Sequence, residues 1–202
     1  MRYLDLMKAR AALANGFVAS LFVLWAAGAQ ADLKNLPDSQ NPAGSAKLDE
    51  LFQQLQSSDD AAAAAITEDI WREWSKSGSA AMDLLLQRGE AAMAMGDPMT
   101  AIDHASALID HAPDFAEAYN LRATAYFQMG ELGLSLGDIS RTLALNPRHF
   151  GALAGLGAIF EELNEPAKAL EVYREALKIN PHMPDVAEAI ARIDTKIGGQ
   201  EL

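Results

Sequence analysis

The chain has 202 residues, half of them hydrophobic but only 7% aromatic, and a formal net charge of −12. That length holds one ordinary domain or a short repeat array, and a composition rich in alanine and poor in aromatics favours closely packed helices over strands. The acidic balance argues against nucleic acid and anionic lipid headgroups as partners, and the lack of cysteine removes disulfides, thiolate metal ligands and thiol nucleophiles.

The chain opens with Arg2, Lys8 and Arg10, followed by an apolar run from Phe17 to Ala27 and the small-x-small triplet Ala29-Gln30-Ala31. This order predicts a signal peptide over residues 1–31, cleaved after Ala31, and hence export to the periplasm. The alternative is an uncleaved anchor that tethers a structural subunit to a membrane complex. Asn15 and Gly16 interrupt the apolar run, leaving it short of the roughly 20 residues a spanning helix needs. Residues 32–46 mix Asn35, Pro37, Asp38, Ser39, Asn41, Pro42, Gly44 and Ser45 and read as a flexible linker. Leu48, Leu51, Phe52 and Leu55 then predict a short helix. A second, from Asp60 to Lys76, carries Ile66, Ile70, Trp71 and Trp74 and ends before Gly78. Residues 47–77 are therefore expected to form a degenerate helical hairpin.

Beyond this point the chain repeats. Pro113, Pro147 and Pro181 are 34 residues apart, and three further sets keep the same step: Gly89, Ala123 and Gly157; Gly96, Gly130 and Asn164; Ala101, Ser135 and Ala169. The last unit reads Leu153, Leu156-Gly157 and Phe160, then Ala169, Tyr173 and Pro181. The middle unit has Tyr119, Arg122-Ala123, Tyr126, Ser135, Ile139 and Pro147; the first has Leu85, Arg88-Gly89, Ala92, Ala101, Ala105 and Pro113. In this order the chain resembles the tetratricopeptide-repeat (TPR) family, most closely in its last unit. The resemblance implies an all-α, right-handed superhelical stack of three helical hairpins over residues 78–181. Small residues would let the paired helices approach closely; Asp97 with Pro98, and Asn164 with Pro166, are expected to cap the second helices. Such an array needs closed ends. The hairpin at 47–77 would close one end, since Trp71 stands 34 residues before Ala105. A helix carrying Val186, Ile190 and Ile193 within residues 182–202 would close the other.

Gly133-Leu134-Ser135-Leu136-Gly137 matches the G-x-S-x-G elbow of serine hydrolases, which makes catalysis by Ser135 a remote alternative. That elbow needs a strand before its serine, and here Ser135 falls at the small-residue position of a second helix. His104 and His111 lie about 10 Å apart along one helix, too far to share a metal ion; His149 and His182 follow repeat prolines and read as loop residues. No H-E-x-x-H, phosphate-binding loop or basic aromatic patch occurs. The expectation is no enzyme, no metal, no cofactor and no small-molecule substrate. Trp71 is expected to pack in the core, whereas Trp74 fits packing or a partner contact equally.

In the family, the first helices of successive hairpins line a concave groove that holds a peptide. By that resemblance the lining comprises Asp83, Leu86, Glu90 and Met93, then Glu117, Asn120, Thr124, Phe127 and Gln128, then Gly151, Ala154, Ala158, Glu161 and Glu162. Family members that bind chaperones clamp a terminal carboxylate with lysines and asparagines; the matching positions here are Leu86, Glu90 and Asn120. The expected partner is instead a protein segment bearing basic residues beside apolar anchors, with Met93 and Phe127 as contact points. The expected role is that of a non-catalytic adaptor or scaffold of the cell envelope.

Overall fold

A computed structural model of the protein describes residues 42–198. Among these residues there are nine helices and no strand: α1 (Pro42–Ser57), α2 (Asp60–Trp74), α3 (Ala80–Ala94), α4 (Pro98–His111), α5 (Ala116–Gln128), α6 (Leu132–Leu145), α7 (Phe150–Glu162), α8 (Pro166–Ile179) and α9 (Pro184–Gly198). The signal segment and the linker up to residue 41 lie outside the described residues. Helix α1 begins at Pro42, inside the stretch 32–46 expected to be linker; proline suits a helix start because its missing N–H is not needed there.

Local chemistry sets most of the helix ends. Asp59 accepts the Ala62 amide at the start of α2, and Asp97 accepts the Thr100 amide and hydroxyl at the start of α4. These bonds hold the Asp97 carboxyl below its usual range. Each first helix of the repeat array ends on a left-handed residue, Gly96 (φ 77°), Gly130 (φ 78°) and Asn164 (φ 56°). In each case the next amide reaches back to the last turn: Asp97 to the Ala92 carbonyl, Glu131 to Tyr126, Glu165 to Phe160. Asn164 is thus the stop of α7 rather than the cap of α8, which corrects the sequence expectation. It takes the place that glycine holds in the other two turns, as asparagine tolerates that conformation.

Helices α3–α4, α5–α6 and α7–α8 form three hairpins stacked in order, with α4 against α5 and α6 against α7. The first helices also touch each other, α3 with α5 and α5 with α7, whereas the second helices make no comparable contact among the described residues. The stack therefore curves with the first helices on its inner side. Close approach within hairpins depends on small residues. A Cβ added at Gly157 would stand 2.3 Å from the Tyr173 ring, and Ser135, fully buried, donates to the Ala123 carbonyl at 2.7 Å.

Two cores follow the stack. Leu86, Met93, Leu108, Phe115 and Leu121 fill the first; the second joins Phe127, Ile139, Leu153, Ile159 and Tyr173 to Val186 and Ile193 of α9. Each such side chain contributes about 1.5–3 kcal/mol when fully buried. Helix α9 closes the C-terminal end against α8, and Arg174 meets Asp194 at the rim.

Helices α1 and α2 form the expected hairpin, with Leu48, Leu51, Leu55, Ala63 and Ile70 buried together, but the hairpin does not close the N-terminal end of the stack. Its core extends to Phe150 at the start of α7 and to Ile179 and Met183 at the end of α8 and just beyond. The Gln56 amide donates to the carbonyls of Lys178 and Ile179. The 34-residue phase between Trp71 and Ala105 is real in the sequence, yet Ala105 lies in the first core and Trp71 packs on the third repeat. No helix among the described residues is long and apolar enough to cross a membrane.

Candidate protein-binding groove

The expected lining residues all lie on the inner helices α3, α5 and α7, but burial divides them sharply. Leu86, Met93, Glu117, Asn120, Thr124, Phe127, Gly151, Ala154 and Ala158 are buried, Asp83, Gln128 and Glu161 partly so, and Glu90 and Glu162 exposed. Met93 and Phe127, expected as contact points, are each only 5% exposed because the stack's own cores enclose them. The apolar floor is thus mostly used by the fold itself.

The carboxylates expected to ring the groove are divided as well. Asp83 accepts the amide and hydroxyl of Ser77, which ties the α2–α3 connector to α3. Glu161 accepts the Tyr173 hydroxyl at 2.8 Å and Arg192 of α9 at 2.6 Å. Burial, reinforced by that carboxylate, pushes the Tyr173 hydroxyl well above the usual tyrosine range. Glu117 lies 2.8 Å from His149 Nε2, while the Ala152 amide donates to His149 Nδ1 at 2.9 Å. Since Nδ1 accepts, Nε2 carries the proton and donates to Glu117. The Asn120 amide reaches the other Glu117 oxygen. Glu90 is different: its side chain is accessible, yet surrounding protein desolvates the carboxylate, and the charge of Glu117 adds to this, so its pKa is held above the usual glutamate value.

The loop end of α7 carries a cluster that motif reading left unassembled. Trp74 stacks on the His149 ring with centroids 4.5 Å apart and planes 17° from parallel. Trp71 meets His149 and Phe150 edge-on, and Phe52 meets Phe150 edge-on. Trp71 also lies where a Cβ on Gly151 would be, 2.6 Å from its ring. Arg148 covers the Phe52 ring at 4.4 Å and pairs with Asp49 at 2.6 Å. The signal that could have found this site is the pair of tryptophans three residues apart on α2, but nothing in the spacing says which distant helix they face.

Comparison with known proteins now decides the family. A tetratricopeptide-repeat model matches residues 86–138 and 120–184, and a TPR repeat-containing protein of Rhizobium etli is 35% identical over 170 residues, covering 82% of this chain and 83% of that one. The chain belongs to the tetratricopeptide-repeat family. An Hsp70-Hsp90 organizing protein of Glycine max is 33% identical over 92 residues, but this chain covers only 16% of its length. Among solved structures, the first TPR of Spaghetti (RPAP3) bound to an HSP90 peptide superposes with a TM-score of 0.56 over 58% of this chain and 95% of that chain, at 22% identity, and shows the fold alone. MamA gives a TM-score of 0.55 at 26% identity, over 58% of this chain and 68% of its own.

Within this TPR stack, the remaining chemical expectations meet a plain geometry. Ser135 sits inside α6 with its proton committed to the Ala123 carbonyl, so it serves as the small residue at a helix crossing and not as an exposed nucleophile. Among the described residues no group of histidine and carboxylate side chains is arranged to hold a metal ion. His149 is a loop residue as expected, but fully buried, and it caps α7. His182 directs Nδ1 at Asp60 and Nε2 at the Leu55 carbonyl, joining α2 to the α8–α9 loop. Trp71 packs against the array, and so does Trp74, for which packing and partner contact had been equal expectations.

Proposed function

We propose that this TPR chain is a non-catalytic adaptor or scaffold of the cell envelope that holds a segment of a partner protein along the inner side of its stack. Family membership supports the protein-binding part, and the Spaghetti TPR, which shares the fold, is itself bound to an HSP90 peptide. The envelope part rests on the basic, apolar and small-x-small order of residues 1–31. The observation that carries the choice of partner is the exposed carboxylate of Glu90 on the inner helix α3, which with the neighbouring charge of Glu117 gains from a cation and is worsened by an anion. A segment with lysine or arginine beside apolar side chains therefore fits better than an acidic tail.

The test is a peptide array screened with the full chain. Basic-apolar peptides should bind with a salt-dependent affinity that drops at least about ten-fold in Glu90→Lys, as expected for losing one charge pair and adding a repulsion. Glu171→Lys, on the accessible side of α8, should bind as wild type. Equal binding by all three proteins would refute the groove reading. N-terminal sequencing of protein recovered from cells decides the envelope part: a start at Asp32 supports export with cleavage, and an intact Met1 favours the anchored alternative.

A further inference from the structure

The α1–α2 hairpin is seated on the TPR array through a contact that has the composition of a ligand site. We propose that this contact is an exchangeable socket: in the resting chain α1–α2 fills it, and it opens to an amphipathic helix of a partner protein that carries two aromatic residues three positions apart and acidic residues at its rim. This deepens the reading of the stack as protein-binding.

Four features of the socket select that chemistry. Gly151 has no side chain, and its place is taken by the Trp71 indole. The His149 ring is held rigidly by Glu117 and by the Ala152 amide, and it offers a flat face on which Trp74 lies. The carbonyls of Lys178 and Ile179, at the end of α8 where no helical donor follows, accept from a side-chain amide, that of Gln56. Arg148 and His182 stand at the edges and meet Asp49 and Asp60. The socket thus reads paired aromatics, an amide and carboxylates on one helical surface.

Three further features make the resident hairpin exchangeable. The hairpin's two helices bury Leu48, Leu51, Leu55, Ala63 and Ile70 against each other, and Phe150 is the array residue buried in that cluster, so most of these contacts stay together if the hairpin leaves as a unit. Its polar ties to the array lie mostly at exposed positions, where water replaces them cheaply. It is joined to α3 by a connector, residues 75–79, in which Gly78 adopts φ 84° with open space around it. The hairpin also lies outside the 86–184 span matched by the repeat model, and α2 does not stack on α3 as successive repeats stack on each other.

The test uses the full chain as host and a fluorescein-labelled peptide of residues 46–77 as probe. In the host Trp71→Ala/Trp74→Ala the resident is weakened while the socket is intact, so the peptide should bind at least about ten-fold more tightly than to wild type, where the tethered hairpin competes. Adding Gly151→Leu to that host should abolish binding, and a probe with both tryptophans replaced by alanine should not bind. An excess of the basic-apolar groove peptide should not displace the probe, so the socket and the basic-segment reading can fail separately. Equal binding to wild type and to the double variant overturns the proposal, as does no binding to a double variant whose circular dichroism retains the helical array. Loss of cooperative melting in the double variant also overturns it, because the hairpin is then integral to the fold. Recovery of wild type as a dimer with exchanged hairpins overturns it too, because the occupant is then a second copy.

Discussion

The first and third repeats share one plan and differ in how they are enclosed. Helix α7 is buried on every face from Phe150 to Phe160, with α8, α6 and α5 packed along it, Arg192 of α9 paired with Glu161 near its end, and α1–α2 over its loop end. Helix α3 leaves Leu84, Gln87, Arg88 and Glu90 exposed. The N-terminal hairpin passes over the nearest repeat and covers the farthest one. What recruits it is side-chain chemistry at the target, a buried histidine capping α7 and a glycine at its second position, where the matching positions of α3 are Ser79 and Ala81. The lesson is that the partner of a closing element is set by surface complementarity and not by chain order.

Substitutions can break this contrast, and the largest effect belongs to the hairpin contact. Trp74→Ala removes a buried ring that stacks on His149 and touches Phe52 and Phe150, and should cost about 3 kcal/mol. Hydrogen exchange should quicken in α1, α2 and the start of α7 while α3–α4 keep their protection. Uniform loss of protection would mean that the two ends are not independent.

Two matched glycines give the next comparison. An alanine at 157 meets the ring of the fully buried Tyr173 at 2.3 Å, whereas an alanine at 89 meets the far end of Leu121 at 2.4 Å, which can rotate away. Even after the gain in helix propensity, Gly157→Ala should destabilise by about 2 kcal/mol. Gly89→Ala should stay within about 0.5 kcal/mol of wild type. Urea titration of both variants checks the difference.

Smaller still is the tie between the third repeat and its cap. Glu161→Gln keeps a bond for Tyr173 but loses the charge that holds Arg192, a pair that is largely solvent-screened on the Arg192 side. It should cost about 0.5–1 kcal/mol, seen as faster proteolysis in α9 and no change in α3.

The smallest effect belongs to the inner face of the first repeat and depends on pH. Because the folded pKa of Glu90 lies above its unfolded value, ionising it opposes folding, and this penalty grows as pH rises through the carboxylate range to the raised value. Glu90→Gln should therefore melt at a slightly higher temperature at neutral pH. The advantage should vanish as pH falls below the usual glutamate range, and an advantage that persists in acid would deny the assigned cause.

Each of these sites was visible in the sequence to a different degree. The three hairpins, the stop residues Gly96 and Gly130, and the small residues at the crossings were legible because a solenoid repeats the same neighbour contacts every 34 residues, so one local rule is written three times; Asn164 shares that register but reads as a cap. The groove was legible only as positions. Whether a carboxylate there is available depends on partners from other helices, and His149 and Arg192 claimed Glu117 and Glu161 while leaving Glu90 desolvated.

By itself, then, the sequence determined the fold class and the family, both of which follow from period and residue size. The tertiary structure alone decided where the N-terminal hairpin docks. Gln56 bonds to the carbonyl of Lys178 across 122 residues of chain, and Trp71 replaces a side chain missing at Gly151. Such a contact is made once, between surfaces that no period relates, and its physical basis is the fit of an indole to a gap that appears only after the third repeat has folded.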